Sequence, residues 1–279
     1  MSMDQATITF TSSRVPVSGA AFDLLAAGYD QNFTESLIGR AQRNAVWEVL
    51  THTFEVNDNI LELNCGTGED AAFMAGRGIS VFACDASPQM IARAEQRLCR
   101  QTSLLPIAFC HLPTERIGEL RPETLFDGVF SNFSGLNCVE DLGAVALSLS
   151  NLVKPGGRLL LCFSTRYCLI EIVYYLIRGQ GEKAWRRCKG YTVATLANQQ
   201  LPVYYPTLRQ IRDRFAPHFT LRAYRGIGVA VPPSYCGNWA RRHRAAFRML
   251  CRLEGILSAV PILRVTGDHV LLCFEKVSG

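Results

Sequence analysis

The chain has 279 residues, of which 48% are hydrophobic and 19% are charged, and its formal net charge is +5. This composition is that of a globular protein with material for one large domain, and it excludes an intrinsically disordered chain. No apolar run approaches the roughly 18 residues of a membrane-spanning helix, and residues 1–10 lack the basic start and apolar core of a secretory signal, so we expect a cytoplasmic protein.

Cysteines and charges are distributed unevenly. The eleven cysteines lie mostly in apolar segments and include no C-x-x-C pair, which indicates reduced, buried thiols and predicts neither a disulfide framework nor a metal site. Residues 164–252 contain 16 Lys and Arg against 3 Asp and Glu, whereas residues 1–163 contain 11 against 18. This asymmetry of charge bears on which partners the protein attracts, and it gives no information about the fold.

Helix and strand patterns alternate from residue 34 to residue 163. The predicted order is helix 34–53, strand 59–64, helix 69–77, strand 80–84, helix 87–100, strand 105–110, strand 125–131, helix 141–152 and strand 158–163. Short apolar strands separated by helices predict a parallel sheet with helices on both faces. Beyond it we expect helices within 167–189, 206–215 and 236–259, strands at 219–231 and 268–277, and irregular structure over 190–206.

The most informative segment runs from Ile60 to Asp70, where a predicted strand passes through a glycine-rich turn into a helix. Gly66 and Gly68 have no side chains, so a ligand can approach the backbone, and the helix N-terminus can bind an anionic group. Asp85 ends the next strand about 20 residues further on, where a carboxylate can accept hydrogen bonds from both ribose hydroxyls. Packing and capping are the alternatives, but together the two features favour a ribose-binding site.

Five segments in order make the chain resemble the class I S-adenosylmethionine-dependent methyltransferases of the small-molecule type (type 11/25-like). They are Ala26–Asp30, Glu62–Gly68, Asp85–Met90, Phe126–Asn132 and Leu152–Phe163. The resemblance implies a Rossmann-like, seven-stranded sheet, mostly parallel with its last strand antiparallel, and helical cap inserts. It divides the chain into N-terminal helices and cofactor-binding core (1–163), a cap insert (164–205), and the C-terminal part of the core (206–279) with a helical insert at 232–267.

The resemblance also implies S-adenosylmethionine as cofactor and S-adenosylhomocysteine as product. It assigns these positions to cofactor binding: Tyr29, Glu62, Asn64, Gly66, Gly68, Asp85, Ala86, Met90, Leu112, Pro113, Asn132 and Phe133. Glu62 would lie near the methionine amino group, Asp85 would hold the ribose hydroxyls, and Tyr29 would cap the site. Asn64 stands where the family usually has a glycine, and we expect it to tolerate a left-handed backbone.

The substrate side is less sharply defined. Substrate-pocket candidates follow the fifth strand, where the family often covers its substrate, with the buried face of a helix as the alternative: Tyr167, Glu171, Tyr174 and Tyr175. Candidate general bases are His111, His218 and His243. We predict that residues 164–205 and 232–267 cap the cofactor mouth, because both leave the sheet where the strands have their carboxyl ends. The alternatives are that they cover the sheet or mediate a homodimer.

These patterns favour an enzyme that methylates a small molecule at oxygen or nitrogen. An arginine- and aromatic-rich cap suits an amphipathic or anionic natural product. The alternative is a nucleic-acid-binding methyltransferase, or a noncatalytic S-adenosylmethionine-binding module, that uses the basic C-terminal lobe. Nucleic acid is the less favoured partner, because the sequence has no recognisable RNA-binding module and no Asn/Asp-Pro-Pro-aromatic motif at residues 131–133.

Overall fold

The computed structural model describes residues 17–101, 104–196 and 198–277; residues 1–10, which sequence analysis interpreted as lacking a signal peptide, lie outside this range. The helices are α1 (Val17–Asp23), α2 (Leu37–Thr53), α3 (Glu69–Ala75), α4 (Pro88–Cys99), α5 (Leu142–Leu152), α6 (Leu169–Ile177), α7 (Gly181–Ala184), α8 (Leu208–Phe215), α9 (Gly237–Arg242) and α10 (Arg244–Leu257). The strands are β1 (Asn59–Leu63), β2 (Ser80–Asp85), β3 (Ile107–His111), β4 (Phe126–Ser131), β5 (Val153–Ser164), β6 (Tyr191–Leu196), β7 (Gln199–Tyr204), β8 (Phe219–Ile227) and β9 (His269–Lys276).

A seven-stranded sheet of order β3-β2-β1-β4-β5-β9-β8 forms the centre of the fold. Strands β1 to β5 pair in parallel, and β9 runs antiparallel to both β5 and β8. Leu63 lies opposite Cys84 and Ser131, so β1, β2 and β4 end at one edge of the sheet. His269 pairs with Ser164, which brings the start of β9 to the same edge. The predicted fold class, including the antiparallel last strand, is confirmed.

Helices cover both faces of the sheet, as the alternating pattern predicts. On one face, Val46 of α2 and Met74 of α3 belong to a buried cluster with Phe130 of β4. On the other face, Leu149 of α5 and Phe215 of α8 belong to a second buried cluster that contains Phe274 of β9. The sheet is therefore apolar on both sides, which leaves its strand ends as the place for polar groups.

The local start signals explain where several helices begin. Ser87 caps α4, since its hydroxyl accepts a hydrogen bond from the backbone N–H of Met90 at 3.1 Å, and Pro88 occupies the first turn. Thr207 and Gln210 form a reciprocal capping box at the start of α8. These caps fix which residues of the preceding loops face the sheet edge.

Three expectations for the C-terminal part need correction. Residues 190–206 are not irregular: β6 and β7 form an antiparallel hairpin, with Asn198 at a φ of 66°. The strand predicted at 219–231 ends at Ile227, because Gly228 turns the chain with a φ of 68°. The helix predicted at 236–259 breaks at His243, whose φ and ψ of −119° and 54° are not helical.

Two segments interrupt the C-terminal half of the sheet, and we refer to them together as the cap: residues 164–205, which contain α6, α7 and the β6–β7 hairpin, and residues 232–267, which contain α9 and α10. The first begins at the end of β5, and the second lies between β8 and β9. Within the part of the chain that the structure describes, we find no helix with both the length and the apolar character needed to cross a membrane.

Candidate active site

The turn after β1 has a left-handed backbone at three positions. Asn64, Gly66 and Gly68 have φ values of 54°, 55° and 73°, so Asn64 adopts the conformation expected of it. The Asn64 side chain is held by the hydroxyl of Thr114, which donates to its Oδ1 at 3.0 Å. A Cβ at Gly66 would meet no atom within 4 Å, whereas one at Gly68 would lie 2.9 Å from Cβ of Ala94. Gly66 thus leaves open space beside the backbone, and Gly68 allows close packing of α4.

The Asp85 carboxylate is oriented by two backbone amides. Its Oδ2 accepts from the N–H of Gly66 at 2.9 Å, and its Oδ1 accepts from the N–H of Ser87 at 2.8 Å. Burial raises the pKa of Asp85 to about 6, and these two hydrogen bonds act in the opposite direction. Each oxygen keeps a second lone pair, so the group can still accept hydrogen bonds from a pair of ligand hydroxyls.

The N-terminal segment is attached to the loops of the strand-end edge. Asp23 accepts hydrogen bonds from the hydroxyl of Ser87 at 2.5 Å and from the backbone of Gln89 at 3.0 Å. Asp30 accepts from the hydroxyl of Thr67 at 2.6 Å and from the guanidinium of Arg97 at 2.7 Å. Residues 17–34 are thereby held across the mouth of the glycine-rich turn.

A pocket, which we call the strand-end pocket, opens between this segment and the sheet edge. It is lined by Ser18, Phe22, Tyr29, Asn64, Gly66, Asp85, Ala86, Met90, Glu115, Asn132, Phe133, Gly135, Cys138 and Val139. Eight of the twelve positions assigned to the cofactor from sequence line it. Tyr29 is half-buried near charged groups, and desolvation raises its pKa to about 12, so its phenol stays neutral.

The other four assigned positions lie around the pocket and not in its lining. Gly68 packs against α4, and Leu112 belongs to the buried core beneath β3. Pro113 is also buried, directly before the 3-10 helix Thr114–Glu119. Glu62 is 1% exposed, its Oε2 has no hydrogen-bond partner within the described residues, and burial raises its pKa well above the usual range.

Six of the lining residues are not among the positions assigned from the sequence: Ser18, Phe22, Glu115, Gly135, Cys138 and Val139. Ser18 and Phe22 belong to α1, and the others follow β3 or β4. The residues that follow β3 or β4 could have been identified from the predicted strands, because loops that follow parallel strands meet at one edge of the sheet. Nothing in the sequence marks α1 as part of the wall.

The loop after β4 has an unusual backbone conformation. Phe133 and Ser134 have φ values of 43° and 67°, which bulky L-residues adopt only where the surroundings impose it. Asn132 fixes this turn: its Oδ1 accepts from the N–H of Phe133 at 2.9 Å, and its Nδ2 donates to Asp70 at 3.1 Å. Asp70 is itself held by a buried ion pair with Arg43. The Phe133 ring is therefore presented at a defined position above the sheet edge.

A second pocket, the cap pocket, adjoins the first beneath the cap. It is lined by Leu25, Tyr29, Asn32, Phe33, Phe133, Ser134, Ser164, Arg186, Arg187, Pro233, Ser234, Tyr235, Asp268 and His269. Tyr29 and Phe133 line both pockets. Both segments of the cap contribute residues to it.

A buried cluster of charges supports the wall of the cap pocket. Glu171, which is 1% exposed, pairs with Arg186 at 2.9 Å and with Arg187 at 2.6 Å, and it accepts a hydrogen bond from the hydroxyl of Tyr235 at 3.2 Å. Arg187 also pairs with Asp268 at 2.9 Å. Although burial alone would raise it, the pKa of Asp268 is lowered by His269 and Arg187. The cluster joins both parts of the cap to the start of β9.

None of the four substrate-pocket candidates is among the residues that line the cap pocket in the described structure. Glu171 stands behind its arginines, and Tyr174 and Tyr175 pack on Tyr235 with ring centroids 5.2 and 5.7 Å away. Tyr167 lies in a different surface groove, next to α8. Glu171, Tyr174 and Tyr175 therefore support the wall of the cap pocket from behind, through the arginines and Tyr235.

The three histidines proposed as bases are also placed apart from the cap pocket. His218 precedes β8, at the edge of the sheet opposite to the strand ends, because β8 runs parallel to β5. His243 is exposed at the break between α9 and α10 and stacks on Trp239. His111 ends β3, and its Nε2 lies 3.0 Å from the carbonyl oxygen of Ala86, on the strand-end pocket side.

His269 is the histidine that lines the cap pocket. It is 7% exposed, its ring meets Phe133 at 5.5 Å, and its Nδ1 lies 3.6 Å from Oδ2 of Asp268. Burial lowers its pKa below 6.5, so the imidazole is neutral near pH 7. The sequence could have identified His269, because it begins the last strand, and an antiparallel strand begins at the edge where its parallel neighbours end.

Comparisons with known proteins agree with this geometry. Residues 61–159 match a family model described as a methyltransferase domain. A demethylmenaquinone methyltransferase of Clavibacter sepedonicus is 31% identical over 150 residues, and a tRNA 5-carboxymethoxyuridine methyltransferase of Escherichia coli is 28% identical over 153 residues. These alignments cover 52% and 53% of this chain, and the chain spans 58% of the length of each relative. The solved DhpI–SAH complex shares the fold, with a TM-score of 0.58 at 15% identity, over 95% of this chain and 98% of that chain.

The strand-end pocket fits the cofactor of such a domain on two observations. The open space beside Gly66 admits a ligand against the backbone, next to the Asp85 carboxylate. The unpartnered Oε2 of Glu62 is a buried acceptor that a ligand ammonium group would satisfy. Residues 61–159 therefore form a class I S-adenosylmethionine-dependent methyltransferase domain.

Proposed function

We propose that this protein transfers the methyl group of S-adenosylmethionine to a small-molecule acceptor held in the cap pocket. One observation carries the proposal: Tyr29 and Phe133 line both the strand-end pocket and the cap pocket. Two pockets that share a wall can hold cofactor and acceptor side by side. Holding both reactants in line is the main task of such an enzyme, because proximity supplies much of the rate.

Different residues of the strand-end pocket would bind different parts of the cofactor. When bound, S-adenosylmethionine supplies an activated methyl group on a sulfonium. Asp85 would hold the ribose hydroxyls, Glu62 would face the amino group, and Met90 would flank the adenine. Gly66 admits the ligand to the backbone. Phe133, held in place by the Asn132 hydrogen bond, would separate the reacting groups from bulk water.

His269 is our candidate for a general base. The imidazole is neutral near pH 7 and lines the cap pocket, so a ring nitrogen can accept a proton from an acceptor hydroxyl. A hydroxyl acceptor requires such a base, because the hydroxyl must lose its proton as the new bond to oxygen forms. We therefore propose O-methylation.

The charge balance of the cap pocket suggests the character of the acceptor. The charges of Arg186 and Arg187 are paired with those of Glu171 and Asp268. The pocket wall thus carries polar groups without a net excess of either sign, beside apolar residues such as Phe33. This combination favours an amphipathic hydroxylated molecule over a multiply charged one. The demethylmenaquinone relative is consistent with a small-molecule acceptor.

The test is a methyl-transfer assay with purified protein and cofactor labelled in its methyl group. Hydroxylated aromatic and amphipathic compounds serve as acceptors, and mass spectrometry locates the methyl group. Label in small molecules that depends on Asp85 supports the proposal. Saturable binding of S-adenosylhomocysteine without transfer to any acceptor in the panel would contradict it for these acceptor classes.

The tRNA-modifying relative provides a second candidate, which is a nucleic-acid acceptor. The exposed arginines of the cap are compatible with phosphate contacts. The same assay with total tRNA decides between the two. Label in tRNA and none in small molecules would replace our proposal with this one.

A further inference from the structure

The cap exposes apolar side chains on two helices, on faces that point away from the buried charges. We call this surface the outer cap face: Leu169, Val173, Leu176 and Ile177 of α6, and Met249, Leu253 and Ile256 of α10. Ile177 is 81% exposed and Ile256 is 68% exposed. Large aliphatic side chains at such exposure lose the stabilisation that burial would give them, so a contiguous set of them indicates a binding surface.

Helical spacing places these residues in two stripes. On α6 the spacing of three and four residues from Leu169 to Ile177 keeps the exposed side chains on one face, and Glu171 faces inward on the other. On α10 the same spacing joins Met249 to Ile256, and the inward face carries Glu254. The buried carboxylates fix the orientation of both helices, so each stripe is held outward.

The two stripes border one groove on the cap. Ile170 and Tyr174 of α6 line it from one side, and Trp239 and Leu250 line it from the other. Val173 and Ile177 lie one helical turn from Ile170 and Tyr174, respectively, and Leu253 lies one turn from Leu250. Arg178 also lines the groove, with its guanidinium 4.2 Å from the ring of Tyr174. The stripes and the groove therefore form one continuous surface.

The charge on this surface has one sign. Arg244, Arg248 and Arg252 follow one another at four-residue intervals along α10, and all three are exposed. Arg252 lies about one turn from Met249 and from Ile256, and so borders the apolar stripe. The cap contains twelve Arg and Lys residues and three acidic ones. Two of the acidic residues, Glu171 and Glu254, are buried. Exposed aliphatic residues next to uncompensated arginines are the pattern of a helix that lies in a membrane interface.

We infer that the outer cap face docks on the surface of an anionic lipid bilayer. The arginines complement lipid phosphates, and the aliphatic stripes enter the boundary between headgroups and acyl chains. Nucleic acid would satisfy the arginines but leave the stripes in water. A second copy of the chain would cover the stripes but bring a second set of uncompensated arginines to the interface. The bilayer is the partner that satisfies both features.

The experiment is co-sedimentation of the purified protein with vesicles of phosphatidylcholine, with or without phosphatidylglycerol. We expect binding to the anionic vesicles that weakens as salt is raised. The double variant Arg248→Ala/Arg252→Ala should lower the affinity by at least about tenfold, since each arginine near a bilayer contributes roughly fivefold. Ile177→Glu/Ile256→Glu should also abolish most of the binding.

Matched controls come from outside the cap. Arg209→Ala/Arg212→Ala changes exposed arginines of α8, and Leu147→Glu changes a residue of α5 that is 52% exposed. Both controls should bind vesicles as the unchanged protein does. Native circular dichroism and unchanged affinity for S-adenosylhomocysteine establish that each cap variant is folded, independently of any methyl-transfer activity.

Several results would overturn the inference. The inference is wrong if the protein does not bind anionic vesicles, or if the cap variants bind them as well as the unchanged protein does. It is also wrong if the α8 control loses as much binding as the cap variants. Binding of tRNA that the arginine variant alone abolishes, without vesicle binding, would assign the surface to nucleic acid. Dimerisation in analytical ultracentrifugation that Ile177→Glu/Ile256→Glu abolishes, without vesicle binding, would assign it to a second copy.

Discussion

The ring of Phe133 meets the imidazole of His269 edge to face, with centroids 5.5 Å apart. Phe133 follows β4 and His269 begins β9, so the contact spans the sheet edge where parallel and antiparallel strands meet. Phe133 also lines the strand-end pocket. The contact places the proposed base, His269, against the wall that the two pockets share. The position of the Phe133 ring therefore depends on that of the imidazole, and the reverse.

Replacement of the proposed base tests this arrangement. We expect His269→Ala to lower kcat by about 100-fold or more, because positioned general bases contribute roughly 10²–10⁴. Affinity for S-adenosylhomocysteine should not change, since His269 lines only the cap pocket. Steady-state kinetics and calorimetry measure the two quantities. His243→Ala, at an exposed site on the cap, is the control; equal activity of both variants would rule out His269 as the base.

The ribose role of Asp85 is tested by Asp85→Ala. The variant loses hydrogen bonds between a carboxylate and two hydroxyls, which should weaken S-adenosylhomocysteine binding by about 1.5–3 kcal/mol. Calorimetry gives the affinity, and circular dichroism shows whether the fold is retained. The matched control is Asp127→Ala, which removes a carboxylate that bonds to Asn59 and Lys154 away from the strand ends. A native fold with unchanged affinity would disprove the role.

Cofactor affinity should depend on pH through the same carboxylate. The pKa of Asp85 is raised to about 6, and ligand hydroxyls donate better to the charged form than to the protonated one. Affinity for S-adenosylhomocysteine should therefore be constant above pH 7 and fall as the pH drops through 6. Titration calorimetry from pH 5 to pH 8 measures the profile. Asp85→Asn should bind more weakly with a flat profile, and a parallel slope in both proteins would contradict the assignment.

Glu254 attaches the second cap segment to the sheet. Its carboxylate accepts from the backbone N–H groups of four consecutive residues, Gly228 to Val231, at 2.7–3.1 Å. Glu254→Gln replaces one acceptor oxygen by a donor facing buried donors, so the free energy of unfolding should fall by about 3 kcal/mol. Urea denaturation measures it. Glu275→Gln, which affects one exposed pair with Arg222, should change it by less than about 1 kcal/mol.

Glu171 is predicted to act as a positioning residue for the cap pocket. Glu171→Gln weakens the pairing that holds Arg186 and Arg187 against the pocket, so the KM of the acceptor should rise by about tenfold or more. Affinity for S-adenosylhomocysteine should stay within about twofold, because the cluster does not line the strand-end pocket. Glu182→Gln, at an exposed position of the same segment, is the control. A change in cofactor affinity without a change in KM would contradict the role.

The parts of the structure that sequence predicted are those set by local chemistry. The glycine-rich turn and the strand-end Asp85 depend on neighbouring residues, and both lie where the pattern placed them. The left-handed conformation of Asn64 was predicted for the same reason, since tolerance of a positive φ is intrinsic to its side chain. The seven-stranded, mostly parallel sheet with its antiparallel last strand followed from the resemblance to a family, and not from the pattern of any single strand.

The parts that sequence did not predict depend on contacts between distant segments. Arg187 and Asp268 meet across the cap, so no spacing along the chain reveals their pairing. Periodicity shows that one face of α6 is inward but not that Glu171 meets arginines there. The β6–β7 hairpin was missed because its strands are largely exposed and therefore lack a strong apolar alternation.

Both cap segments join the sheet at one small junction. The backbone N–H of Asp268 donates to the carbonyl of Gly228 at 3.0 Å, and that of Thr165 donates to the carbonyl of Asp268 at 3.1 Å. The departure and return points of the second segment are thus closed on each other, and the first segment leaves beside them. Because this junction closes the ends of the insertions at the sheet, the length of each insertion can change without a change in the register of the strands. The cap can therefore change in length or sequence while the strand ends that surround the strand-end pocket keep their positions.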